Sequence, residues 1–526
     1  MRWWIYAIIA AALLLTIVTT PTHIKATYER PSVALFAIGD ADLQMLAEIE
    51  NWPGSGTPDD PYIIGPYLLD ANAPYRPAQV GAIDFENIYR TYFILRIGEI
   101  VDNGMPFHVT EGVHLVNVHT CLGIIGPDAD TVGVIHQMDD HGLYLVDCTI
   151  GDNLGGLQIS DAGGDAVYLT GCTLSGGITN LQISDIGRFA ICARSCYIES
   201  ITSCTIANCR AGIYLVNSEV EYGISNTEIQ LIPDGAIALR VYRGSVYCIF
   251  NLSTTGGEYG VWIDGRNTGL TVLIDGCSMS QHTVAGMRVE RVAGAIVTIA
   301  NSCISECGTG VWIETTSSAQ IRSCRVLECF TGINVTQACT AIINCTISGS
   351  KVVGGTGVWG LYGTLCVERC EINGFDYDVV CQSCAGTVAE CVFDEIGGKA
   401  GVVMDECVGL VVRRNFFLGE WEVGGLVVRG GADCQVYDNF FACSPLAAVE
   451  DAGEVAFNTT YTEQINIVGG PVVGGNFWID YTGKDMNQDG IGDEPYVLGG
   501  GSVDYLPLHI GVHICNPANG STVSPG

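Results

Sequence analysis

Asp139, Asp140 and His141 form one run, and Asp161 and Asp165 follow it at a distance of about one repeat. Pairs of carboxylates about 5 to 9.5 Å apart carry out glycoside hydrolysis. The run and its successor are therefore a candidate catalytic cluster, provided a stacked fold brings the two segments together. A second group offers oxygen only. Asp485, Asn487 and Asp489 alternate, Gly490 permits a sharp turn, Ile491 can present its carbonyl and Asp493 adds a carboxylate, which is the ligand logic of a calcium loop. The twelfth position is Tyr496 rather than a bidentate Glu, and a turn whose acids cap backbone groups is the competing reading. The third group is aromatic. Trp262 and Trp312 stand in matching segments, Gly260-Val261-Trp262-Ile263 and Gly310-Val311-Trp312-Ile313, and Trp359 follows Gly357-Val358. Rings in register on one face would suit a linear glycan, whereas core packing is the plainer role for large aromatics.

Whether these groups meet depends on the elements that carry them. Short apolar strands ending in Cys or Asn recur, as in Val146-Asp147-Cys148-Thr149-Ile150, Ile321-Arg322-Ser323-Cys324-Arg325-Val326 and Ile342-Ile343-Asn344-Cys345-Thr346-Ile347. Taking Cys148, Cys172, Cys204, Asn226, Asn251, Cys277, Cys303, Cys324, Cys345, Cys370, Cys391, Asn415 and Asn439 as equivalent, the gaps run from 21 to 32 residues. One coil is then about two dozen residues, with two or three strands. Strands this short bury an apolar face only by stacking, which predicts an all-β, right-handed parallel β-helix of the pectate-lyase-like kind. The recurrent Gly is expected at left-handed or crowded corners, and the 32-residue gap after Cys172 is expected to expel a loop. Residues 40–49 read as a short N-terminal capping helix, with Leu43, Leu46 and Ile49 on one side; such a cap covers strand edges that would otherwise pair with other chains.

Composition narrows the partners. The formal charge is −34, from 57 acidic and 23 basic residues, so nucleic acid is excluded by repulsion and polyanions are disfavoured unless cations bridge them. Neutral glycans and divalent cations remain. Residues 3–18 carry no charge and follow Arg2, a run short for a membrane span and suited to a signal h-region. Residues 1–26 are read as a signal peptide or retained anchor, the membrane being met only through an uncleaved segment, and the remainder as exported. The 24 Cys would then ordinarily form disulfides. Where Cys alternates with Asn at one turn position, a ladder of reduced, buried thiols is the simpler account, because in-register Cβ vectors fit the disulfide dihedral poorly. The close pairs Cys192 and Cys196, Cys303 and Cys307, Cys324 and Cys329, and Cys381 and Cys384 are the better disulfide or metal candidates, and of these only Cys381-Gln382-Ser383-Cys384 has the spacing of a zinc ligand pair.

The run Gly475-Asn476-Phe477-Trp478 with Asp480-Tyr481, the Asp485 to Asp493 loop, Pro495-Tyr496 and Asp504-Tyr505-Leu506-Pro507-Leu508 resembles the closing signature of the NosD-like β-helix proteins. That family is grouped with carbohydrate-binding proteins and sugar hydrolases and is common on archaeal cell surfaces. The resemblance spans roughly residues 37–508 and divides the chain into repeats at 37–460, a closing segment at 461–508 and a linker or further module at 509–526. It also implies copper, since the founding members are linked to copper supply for nitrous oxide reductase. His108, His114, His119, His136 and His141 cluster, with Met105 and Met138 nearby; of these, His114, His136, His141 and Met138 are the candidate ligands. Register decides whether His114 meets His141 or Tyr144. The leading expectation is an exported surface protein that binds glycan or other cell-surface components or serves as a scaffold. A polysaccharide hydrolase or lyase comes second, and copper delivery third.

Overall fold

The computed structural model describes residues 35–510 apart from 71–79, 102–109, 129–130, 233, 266–271, 293, 295, 317, 350–352 and 452. The signal or anchor segment, Met105, His108 and residues 511–526 of the terminal linker lie outside the described residues. No helix among the described residues is long and apolar enough to cross a membrane.

The chain winds into a right-handed parallel β-helix of about 14 turns. One face is a 17-stranded parallel sheet and the other faces form a 35-stranded one. A representative coil has strands Thr309–Glu314, Ser318–Arg322 and Arg325–Cys329. In the first of these Val311 and Ile313 are buried and Trp312 alternates outward, as the two-residue strand period requires. Stacking then places each inward residue on its equivalent one coil away, and one continuous core runs from Leu35 to Leu498.

The corners bear the expectation out in part, with Gly171 and Gly276 left-handed. In this coil Thr315, Ser323 and Glu328 adopt the left-handed conformation, so polar residues other than glycine turn the chain. The recurrent glycines serve close approach instead. A Cβ on Gly310 would stand 2.6 Å from the Gly332 carbonyl oxygen, and one on Gly332 2.4 Å from that of Gly357.

The expected loop after Cys172 is absent, because the cysteines of the repeat belong to two corners. Thr173 pairs with Tyr197, so the equivalent of Cys172 is Cys196. Gln182 pairs with Thr205, which puts Cys204 on a second ladder that continues through Cys324, Cys345, Cys370 and Cys391 to Asn415, Asn439 and Asn476. Asn226 and Asn251 are the left-handed residues just before this inward position, and Ser302 rather than Cys303 occupies it. Every described cysteine is a free thiol, the four close pairs included. On the second ladder Cys324, Cys345 and Cys370 donate to the carbonyls of Ile299, Ile321 and Ile342 in the preceding coil, each at 3.6 Å.

Both ends are covered. The helix Asp40–Glu50 buries Leu43, Leu46 and Ala47. Ile49 is exposed, because Ala47, one turn beyond Leu43, takes the inward position. At the other end Trp478 stacks on Phe441 at 4.4 Å and on Tyr496 at 4.7 Å, closing the buried ladder of Phe393, Phe417 and Phe441. Asp504, fully buried, accepts from the Asn476 amide at 2.8 Å and the Trp478 indole at 3.0 Å. The closing signature is thus the hydrogen-bonded plug of the solenoid.

Candidate functional site

One outward position of the 17-stranded sheet can be followed from coil to coil. Asp84 pairs with His114, His114 with Tyr144, Tyr144 with Tyr168, Tyr168 with Cys192 and Cys192 with Tyr214. The column continues through Arg240, Trp262, Arg288, Trp312 and Asn334 to Trp359. Register therefore sets His114 against Tyr144 rather than His141. The three tryptophans share this column, two rungs apart, which is about 9.6 Å at a strand spacing of about 4.8 Å.

Ring faces in the column are largely occupied by neighbours. Tyr144 lies between His114 and Tyr168, with centroids 5.2 Å away on each side. Arg240 stacks on Trp262 at 4.4 Å, and Arg288 sits 5.0 Å from Trp262 and 4.3 Å from Trp312. Trp359, 38% exposed, shows no ring or cation contact among the described residues. A polymer lying along the column would therefore meet ring edges, hydroxyls and guanidinium groups for most of its length.

At the N-terminal end of the column the titratable groups converge. The His114 Nδ1–H donates to Asp84 Oδ1 at 2.8 Å, and the other Asp84 oxygen accepts the Val80 N–H at 2.7 Å. This orients the imidazole with its Nε2 4.0 Å from Glu111 Oε2. Burial lowers the His114 pKa, but the hydrogen bond and charge of Asp84, with Glu111 and Glu86, outweigh it and leave the pKa raised. Burial pushes the Glu111 carboxyl up to about 7; His114 draws it down while Asp140 and Asp84 push it further up. Glu111 Oε2 is buried with no hydrogen-bond partner among the described residues. A buried acid and an oriented base thus face one small space.

His141 stands beside this pair. Its Nδ1 accepts the Asp165 N–H at 2.9 Å, so its proton sits on Nε2, which faces Asp140 Oδ1 at 3.4 Å. Its ring stacks on Tyr144 and Tyr168. Asp165 is fully buried and accepts the Phe189 N–H; burial raises its pKa. Two ligand sets have donor atoms within 4.8 Å of one another, Asp84 with Glu86 and His114, and Glu111 with Asp140 and His141. A metal-bound imidazole normally donates its other ring N–H. His114 meets that condition through Asp84, whereas His141 has its lone pair already engaged at Nδ1.

The other expected residues disperse. Asp139 and Asp161 are exposed and Asp161 is a left-handed corner, so of the proposed carboxylates Asp140 and Asp165 alone join the cluster. Met138 is a core residue, and His136 lies on the neighbouring sheet, 3.6 Å from Glu99; the four candidate copper ligands do not meet. In the C-terminal loop, Asp485 accepts the amides of Asp489 and Gly490, Asn487 that of Asp489, Asp489 that of Ile491 and Asp493 that of Met486. These oxygens close the turn from within. Asp84, Glu111 and Tyr168, all in the cluster, escaped sequence reading.

The family described as right-handed β-helix region matches residues 165–322, 221–365 and 292–441, which together span more than half of the 526 residues. No curated protein matches the chain. Among solved structures, the A-module of Azotobacter vinelandii mannuronan C-5 epimerase AlgE4 is 12% identical, with 68% of this chain and 91% of that one covered at a TM-score of 0.32. The corresponding AlgE6 module is 11% identical, with 69% and 90% covered at 0.27. XylC in complex with xylose is 8% identical, with 62% and 55% covered at 0.21.

Proposed function

Since this chain belongs to the right-handed β-helix family, we propose that the outward face of its 17-stranded sheet is a track for a linear glycan, with proton-transfer chemistry at its N-terminal end. The observation that carries this reading is the unbroken register linking Asp84 and His114 to Tyr214, Trp262 and Trp359. A polymer aligned by the column runs directly over the acid and base. His114 Nε2 takes a proton from the sugar, and protonated Glu111 returns one to the departing or developing oxygen. Tyr144 packs on the ring of the base, and Tyr168 backs Tyr144. The 4.0 Å between base and acid is shorter than the about 5 to 9.5 Å used by hydrolytic pairs, which favours elimination or proton exchange at neighbouring atoms over hydrolysis. The charge-free run at residues 3–18 supports action outside the cytoplasm.

The test is turnover of a panel of linear polysaccharides by the wild type, His114→Ala and Glu111→Gln. At least one polymer is converted, and each variant loses roughly 100-fold or more in rate while its column still binds the polymer. Binding by all three proteins without conversion by any would leave a glycan-binding surface and remove the chemistry.

A further inference from the structure

Within a chain of net charge −34, three guanidinium groups gather around two rings of the track. Arg194 lies 6.0 Å from the Tyr214 ring, Arg240 5.5 Å from Tyr214 and 5.6 Å from Tyr242, and Arg243 5.1 Å from Tyr242. None of the three has a carboxylate within ion-pair distance among the described residues, and Arg240 Nε is buried without a partner. Their neighbours along the column are different. Arg288 is bound to Glu290 at 2.8 Å and Glu314 at 3.0 Å, and Arg291 to Asp264 at 2.6 Å. The fold therefore neutralises the arginines of one stretch and leaves those of the adjacent stretch unneutralised, although acidic residues outnumber basic ones 57 to 23. Like charges held together repel, and stacking on aromatic faces offsets only part of that repulsion. An oxyanion supplies the missing counter-charge, and the planar guanidinium fork is shaped to receive one.

We propose that Arg194, Arg240 and Arg243, framed by Tyr214 and Tyr242, form a subsite for an oxyanion-bearing sugar unit of the glycan. This rests on the glycan reading above and adds the charge of its substrate. Arg240 lies five rungs from His114, about 24 Å along the sheet, so the subsite anchors a unit several residues from the one that reacts.

The experiment is calorimetric titration of the full chain with three oligosaccharides of equal length, neutral, carboxylated and sulfated, at low and high salt. The wild type binds at least one of the two anionic oligosaccharides about tenfold or more tightly than the neutral one, and salt erodes the difference. Which of the two wins identifies the oxyanion. Arg240→Gln and the exposed pair Arg194→Gln with Arg243→Gln each reduce that preference roughly tenfold. Should Arg240→Gln fail to fold, the exposed pair carries the test. If the neutral oligosaccharide binds as tightly as both anionic ones, or the exposed pair changes nothing, the subsite is wrong while the track stands. If no oligosaccharide binds at all, the glycan reading falls and takes the subsite with it.

Discussion

Asp378 occupies the inward position at which the preceding and following coils carry Gly357 and Gly401, since Val379 pairs with Val358 and Val402. It is fully buried, and among the described residues neither carboxylate oxygen has a partner within hydrogen-bonding geometry. Burial, reinforced by the charge of Glu395, raises its pKa well above the ordinary carboxylate value. A raised folded-state pKa makes a contribution to stability that is complete below the unfolded value and is lost as pH rises through the folded one. Wild-type thermal stability is therefore expected to fall with rising pH, and Asp378→Asn, which has no charge to bury, to flatten that decline. Melting temperatures of both proteins across the pH range check this. The cluster around His114 shows what can and cannot be read at this scale. His114, Asp140, His141 and Asp165 were legible as residue types suited to the chemistry. Asp84 and Glu111 were not, because they become partners only through register, and the Cys repeat that reveals register begins at Cys148. The available signal was the equal 30-residue spacing of Asp84, His114 and Tyr144, longer than the two-dozen coil found downstream.

Among the elements, the two kinds of side chain sharing one ladder are held by different forces. Asn439 accepts the backbone and side-chain N–H of Asn415, both at 3.0 Å, and donates to the Val412 carbonyl at 2.9 Å. Cys345 makes only weak thiol contacts, to Ile321 and Ile343 carbonyls. Asn439→Ala strands buried donors and is expected to cost about 2 to 4 kcal/mol, whereas Cys345→Ala removes a small, softly packed group and costs about 1 kcal/mol. Denaturant unfolding of the two variants distinguishes them. The ladder was visible in the sequence as Cys alternating with Asn, yet two corners were merged into one series because Cys172, Cys196 and Cys204 are chemically alike and only hydrogen-bonded pairing separates them. The tryptophans were visible as a matching set; that they point outward follows from Val261 and Ile263 filling the core on either side of Trp262, which a four-residue pattern leaves open.

For the whole molecule, a solenoid with free thiols along its interior makes an ordered response to a thiol reagent. Of the described cysteines, Cys339 is exposed and is expected to react first in the native protein, followed by the half-buried Cys248, Cys303 and Cys366, while the buried ladder stays unlabelled until denaturant is added. Mass mapping of labelled peptides over time tests the order. The architecture itself was legible from repeat length and glycine content, because stacked short strands have no other way to bury their apolar residues. The track was not, since it is a property of coils far apart in sequence. The measurement that bears most directly on it is an experimental structure of the protein with a long oligosaccharide bound. Sugar units are expected along the column from Trp359 towards His114, with one unit over the space between His114 Nε2 and Glu111. An oligosaccharide seated on the 35-stranded sheet, or one leaving the His114 end bare at saturation, would contradict it.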